Sequence, residues 1–291
     1  MSNGYNQNTH HFSTPYLTLQ EFKDAPTGVE IDNIVYYSTD SAAQDAELFN
    51  IITRASSWID NICNQVLAAT TETEQERTRY NKRGDLIFHP KYNPIIALTA
   101  LSCGSRPDQM VSVADCSKAW IEDSQIVFPS NYISSLQLGS GTGYPRQEVY
   151  INYTYVNGYT NTTIATATSG ATTLTVSDAT GIIAGQSLRI YDGANTELVI
   201  VGSGYTFGST TVPLVSALTH THSAGISISA LPAAIKEACI LLTVALLKAR
   251  GDSAMIMKQG NQPGEFIEIA DKGSSDVAGA KRLLIPYKRV R

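Results

Sequence analysis

Between residues 160 and 230 the chain carries only four charged side chains, Asp178, Arg189, Asp192 and Glu197, in a run dense in Thr, Ser and Gly. Such a segment, rich in β-branched and turn residues, reads as short strands joined by tight turns rather than as helix. Long amphipathic helical patterns flank it on both sides. The texture predicts a helical host with a β-rich module set into one of its loops. The ends of that module, near Tyr159 and Ala230, must then lie close together if the host core is to stay continuous.

The host begins with a capping box, Thr18 followed by Glu21, opening a short helix from Leu19 that Pro26 and Gly28 end. A second helix is predicted from Asp40 or Ser41 to about Gln65, with Gln44 as the capping partner. Its apolar positions, among them Phe49, Ile52, Trp58, Ile59 and Ile62, recur at three and four residues. A third opens at Leu231-Pro232 and stops at Gly251; Ile235, Leu242 and Leu246 belong to an apolar surface covering much of its circumference, which suits a central helix. An amphipathic fragment (Ala254 to Lys258), a Gly/Pro loop and a weaker helix over Ser275 to Leu284 follow.

From Arg79 to Tyr155 the pattern becomes β-like: Leu86 to Phe88, Ile95 to Leu101, Ala119 to Ile121, Gln125 to Phe128 and Glu148 to Tyr155. The last alternates, with Val149, Ile151, Tyr153 and Tyr155 on one face. These pieces predict a small antiparallel sheet beside the helices. In the module, Thr172 to Val176, Ser187 to Tyr191, Glu197 to Val201, Thr211 to Leu214 and Gly225 to Ser229 read as strands, with Asp192-Gly193 as a hairpin turn. The expected fold is α+β: a mainly helical domain (residues 1–159 and 231–291) interrupted by an all-β barrel or sandwich (160–230).

A net charge of −5 argues against a basic whole-surface nucleic-acid footprint. Charge is uneven, however: Lys281, Arg282, Lys288, Arg289 and Arg291 stand at the C-terminal end with no acid among them. Met1 to Thr14 shows no signal pattern, and the most apolar run, Ala238 to Leu247, is about half the length of a membrane span, so a soluble protein is expected. Cys63, Cys103, Cys116 and Cys239 form no CxxC pair and read as free thiols in a reducing compartment.

Catalytic and metal constellations are not evident. The sequence holds no GxxxxGK[ST], HExxH or GxSxG. His220-x-His222 has metal-site spacing but no acidic or Cys partner near it in sequence, and is read as exposed or hydrogen-bonded loop histidines; His10-His11 lies in a polar tail. Gly139 to Arg146 and Gln259 to Gly264 read as mobile loops. Clustered Tyr150, Tyr153, Tyr155 and Tyr159 fit cross-strand packing, or exposure at a subunit interface. The chain is expected to be no enzyme and to need no cofactor or metal.

Five segments taken in order carry a resemblance: Leu17-Thr-Leu-Gln-Glu-Phe-Lys, Ala55-Ser-Ser-Trp-Ile-Asp-Asn-Ile-Cys, Val156-Asn-Gly-Tyr159, Leu231-Pro-Ala-Ala-Ile-Lys-Glu-Ala-Cys and Ile285-Pro-Tyr-Lys-Arg-Val-Arg291. Together the chain resembles the head-tail connector (adaptor) proteins of tailed bacteriophages. In that family the Asn-Gly-Tyr stretch is followed within a few residues by the Leu-Pro helix, whereas here residues 160–230 intervene. The resemblance implies a virion protein, made in the host cytoplasm, that forms a homo-oligomeric ring, usually of twelve copies, under the portal. Such a ring joins the DNA-filled head to the tail or neck-completion protein and passes double-stranded DNA without sequence specificity. It also implies a portal-docking tail, matched here by Lys281, Arg282, Pro286, Tyr287, Lys288, Arg289, Val290 and Arg291, and a ring wall built by the helices. The module lies outside the family core, and capsid contact through it is an expectation. The alternative is a surface- or carbohydrate-binding virion protein on an oligomerising helical base; it expects aromatics on the module, where only Tyr191, Tyr205 and Phe207 occur.

Overall fold

The computed structural model describes residues 15–35, 38–122, 124–129, 133, 148–259 and 265–289, the side chains of 250–274 excepted. His10-His11, the loop 139–146, residues 260–264 and the terminal Val290 and Arg291 lie outside the described residues. The chain parts into two compact units, Met1–Asn64 with Pro232–Lys288, and Gln65–Leu231 with Arg289–Arg291.

The first unit is helical. Helix α1 (Leu19–Asp24) starts with both halves of the Thr18/Glu21 capping box formed. Helix α2 (Ser41–Cys63) takes Asp40 as its N-cap, the carboxylate accepting from Ala42 N at 3.0 Å. Gln44 is therefore one residue too far along to close a capping box. Its buried amide instead accepts from Val35 N at 2.8 Å and donates to Ser38 O at 2.8 Å, fastening the loop before the helix. Asn64, at φ +55°, ends α2 in the left-handed conformation that an Asn tolerates.

Helix α3 spans Ala233–Gln259 and does not stop at Gly251. One helical Gly costs only about 1 kcal/mol relative to Ala, and the fragment beyond it continues the helix. Helix α4 (Glu265–Leu284) likewise begins well before the expected Ser275. The two pack along each other, with Lys248 bonded to Asp276 at 2.8 Å and a Cβ at Gly279 lying 3.4 Å from Leu241. Ile235, Ala238, Cys239, Leu242, Val244 and Ala245 are all buried on α3, so its apolar circumference is covered on several sides.

Among the described residues the named strands of the second unit all pair antiparallel, and they exceed the small sheet expected beside the helices. A four-stranded sheet runs β1 (Thr70–Arg79), β7 (Glu148–Asn157), β3 (Ile95–Gly104), β4 (Val111–Ser112). A three-stranded sheet runs β2 (Asp85–Phe88), β6 (Gln125–Pro129), β5 (Trp120–Glu122). The face of β7 carrying Val149, Ile151, Tyr153 and Tyr155 is buried in the core they share with Leu86, Phe88 and Phe128. Tyr153 stacks obliquely on Phe88 with ring centroids 4.6 Å apart, so these two tyrosines of the cluster are core residues.

Residues 160–230 have a hydrophobic core of their own, including Ile164, Leu174, Leu188, Ile190, Val212 and Ile228. Their strands make one sheet, β11 (Glu197–Ile200), β10 (Ser187–Tyr191), β13 (Ser227–Ser229), β8 (Asn161–Thr163), and a separate pair, β12 (Thr211–Pro213) with β9 (Thr173–Thr175). No closed barrel forms among the described residues: strands of three to five residues give two small sheets over one core. Asp192 leads into a short 3-10 turn (Gly193–Asn195) rather than a two-residue hairpin loop. The ends of the module meet, with Ala230 N donating to Thr160 O at 2.8 Å. Gly181, at φ +84°, lets it seat closely on the larger sheet, because a Cβ there would lie 2.5 Å from Ala69 Cβ.

Where the chain leaves β7, Tyr159 N donates to Leu67 O at 2.8 Å and Gly158 turns at φ +92°. A Cβ at Gly158 would stand 2.5 Å from Ala68 O, which accounts for the glycine in the Asn-Gly-Tyr segment. Gly158→Ala is expected to cost about 2 to 3 kcal/mol from backbone strain and the clash with main chain. A fall below about 0.5 kcal/mol in urea unfolding would show that this turn relaxes.

Candidate functional site

Three of the five segments carrying the resemblance meet in one buried polar network. Glu21 Oε2 accepts from Thr18 N at 2.7 Å, and its Oε1 takes a charged hydrogen bond from Lys236 Nζ. That ammonium also donates to Tyr16 O at 3.2 Å, while Tyr16 N donates to Ser56 Oγ at 3.0 Å. Ser56 Oγ donates to Ile52 O at 2.9 Å and lies 3.6 Å from Cys239 Sγ. Tyr16 OH bonds Asp60. Segments that are 40 and 220 residues apart in the chain are thereby pinned together. Burial lowers the Lys236 pKa from its ordinary value and Glu21 only partly restores it. Burial likewise pushes Cys239 up to about 12, so this thiol is a packing residue, not a nucleophile.

The helix residues expected in subunit packing or in the core divide by burial. Ile52, Ile59, Ile235 and Leu242 are buried; Trp58, Ile62 and Leu246 are half-buried, and Phe49 is exposed.

The basic C-terminal residues are not an extended arm over the described part. Lys281 and Arg282 lie exposed on the last turn of α4, where cations complement the helix dipole. Leu284 is buried, Ile285–Tyr287 form a 3-10 turn with Pro286 exposed, and Lys288 N returns to Ile285 O at 3.3 Å. Arg289 places its guanidinium 5.0 Å above the Tyr92 ring, a cation–π contact.

Beside this turn is an open cleft of about 460 Å³, lined by Asn61, Ile62, Asn64, Lys281, Arg282, Leu284, Ile285 and Lys288. The C-terminal ends of α2 and α4 meet there. Sequence reasoning found the cations but missed the apolar floor and the two asparagines. Their one local sign was Asn64, a residue suited to ending a helix.

The fold gives the hydrogen-bonded form of the expected loop histidines at His222 and supplies the acidic partners its sequence neighbourhood lacks. His222 is fully buried, with Nδ1 2.7 Å from Asp192 Oδ2 and Nε2 2.8 Å from Glu197 Oε1. Acidic partners 30 and 25 residues away in sequence are delivered by the β10–β11 hairpin. Glu197 also accepts from Thr219 N at 2.9 Å and His220 N at 3.1 Å. Each ring nitrogen faces a carboxylate oxygen, and the ring holds the loop at 219–222 against the hairpin. Among the described residues no group of three or more His, Cys, Asp or Glu is placed to hold a metal ion.

Of the module's three aromatics, Tyr205 is buried with its hydroxyl donating to Ser209 O at 2.9 Å, Tyr191 is half-buried and Phe207 is exposed. The exposed apolar side chains gather elsewhere, at Leu198 and Ile200 on β11 and at Val215, whose N–H bonds Ile200 O. No helix among the described residues is long and apolar enough to cross a membrane.

No protein-family model matches the chain, and neither curated proteins nor solved structures yield a match.

Proposed function

We propose that the chain is a structural head-tail connector of a tailed phage virion, a ring of about twelve copies under the portal, without catalytic activity. One observation carries the reading. The Leu17, Ala55 and Leu231 segments, which bear the resemblance, share one buried network, and the intervening β-unit is set into the helical unit's sequence between α2 and α3, at 64/65 and 231/232. A shared network of that kind supports kinship of the pieces more than their order alone. In this role the helical unit forms the ring wall, the basic end at Lys281 to Arg291 docks on the portal, and the opposite rim meets a tail or neck-completion protein. An acidic chain suits a channel through which duplex DNA slides, since each neutralised phosphate adds salt-dependent affinity.

The module serves as an outer contact domain. Leu198, Ile200 and Val215 give it an exposed apolar edge suited to capsid protein, whereas a glycan site would want the aromatic platform that buried Tyr205 does not supply. Electron microscopy of the purified protein, alone and mixed with portal rings, tests the reading. The expected result is a closed ring with a channel admitting duplex DNA; a monomer that ignores the portal and binds glycans overturns it.

A further inference from the structure

We propose that the cleft at the ends of α2 and α4 receives an acidic peptide segment of a partner protein, anchored by one bulky apolar side chain. Lys281, Arg282 and Lys288 rim the cleft, no acidic residue lines it, and among the described residues none of the three has an ion-pair partner. The C-terminal ends of α2 and α4 bring roughly half a negative charge each, so three whole cations leave the site positive by about two charges. Half-buried Ile62 and buried Leu284 form an apolar floor, and Ile285, 68 % exposed, adds an apolar edge. Asn61 and Asn64 supply side-chain amides that can donate to and accept from a peptide backbone. The cleft, about 460 Å³ and open to solvent, has room for one bulky side chain of a segment laid across it.

This combination selects among anions. A phosphate backbone would use the cations but gain nothing from Ile62, Leu284 and Ile285, and no aromatic side chain lines the cleft for base stacking. An acidic peptide with a central Leu or Phe uses all three elements. The partner's identity as the portal rests on the connector reading; the preference for an acidic, apolar-anchored segment rests on the cleft alone.

The test uses the full-length protein and a fluorescein-labelled peptide of about twelve residues, rich in Asp and Glu around one Leu, read by anisotropy. Binding with Kd on the order of 10 to 100 µM at low salt is expected, weakening as salt rises. Lys281→Glu with Arg282→Glu is expected to weaken it about tenfold or more, as is Ile285→Asp, while Lys118→Glu on the other unit leaves it unchanged. A peptide with the Leu replaced by Ser should bind several-fold worse. Equal binding by wild type and the charge-reversed variant, with circular dichroism showing both folded, overturns the proposal, and so does preferential displacement by a DNA oligonucleotide. Portal rings separate the two readings. If rings bind the protein while the peptide binds wild type and charge-reversed variant alike, the cleft proposal fails and the connector stands; if the peptide binds as expected and rings never do, the cleft proposal stands and the connector fails.

Discussion

His222→Leu is expected to lower the stability of the module at 160–230 by about 2 to 3 kcal/mol, because it removes the shared partner of two half-buried carboxylates. The native imidazole is 0 % exposed, and the side chains it bridges, Asp192 and Glu197, are 22 % and 12 % exposed. Leucine fills the space without donating to either oxygen, so two like charges face each other across an apolar side chain. Adding Asp192→Asn removes one of those charges and should recover a substantial part of the loss, which a simple packing defect would not allow. Two units and two β-cores make a single global transition a poor reporter. Native-state hydrogen exchange at the amides of β10, β11 and β13 reads the module directly. A loss of protection worth less than about 1 kcal/mol there would show that the imidazole is incidental.

The same cluster fixes the module's response to acid. Burial alone would raise the Glu197 carboxyl, but the backbone N–H groups of Thr219 and His220 and the imidazole of His222 outweigh it and hold the group down at about 2. The unfolded chain therefore binds more protons than the folded one between the ordinary value of 4.5 and about 2. Stability contributed by Glu197 is complete above that window and is lost as pH falls through it. Glu197→Gln should flatten this part of the acid profile.

The helices were legible in sequence because they bury one stripe and carry their own start signals. Thr18/Glu21, the three- and four-residue spacing in α2 and the apolar girth of α3 each report burial locally. Helix ends were less legible: Gly251 looks like a stop but lies inside α3, since a glycine ends a helix only where the backbone turns to positive φ. Strand β1, Thr-Thr-Glu-Thr-Glu-Gln-Glu-Arg-Thr-Arg, contains no apolar residue and so gave no hydrophobic alternation to find. Its partner β7 decides it. Glu74 accepts from Tyr155 OH at 2.5 Å, Tyr153 OH at 3.3 Å and Lys91 N at 3.0 Å, while Thr73 meets Thr154 at 2.9 Å. Edge strands carry inward charges of this kind, which also discourage pairing with foreign strands. The His222 cluster was hidden for a related reason. Its acids lie on a hairpin that the strand pattern foretold, but the loop at 219–222 reaches them from 30 and 25 residues away, a contact that no local pattern reports.

Lys236→Met is the second change with a large expected effect, about 3 to 5 kcal/mol on the helical unit, because it leaves the buried Glu21 carboxylate without its counter-charge. Lys236 and Glu21 have side-chain exposures of only 6 % and 7 %. Burial disfavours the ammonium and Glu21 only partly offsets it, as the lowered Lys236 pKa records, so desolvation outweighs attraction at this pair. The unfolded chain holds its lysine proton to higher pH than the folded one, and stability from this group therefore rises with pH through the alkaline range below the ordinary lysine value. That balance makes the double variant informative. Glu21→Gln keeps an acceptor for Thr18 N, so the start of α1 survives while the charge is removed. Glu21→Gln combined with Lys236→Met should therefore return to within about 1 kcal/mol of wild type in urea unfolding, far from the sum of the two single losses. Additive losses would mean that the network acts through packing around Tyr16 and Ser56. Recovery would mean that the ion pair selects the geometry of Leu17, Ala55 and Leu231 segments without supplying much net stability, a device for specifying how the two ends of an interrupted domain find each other.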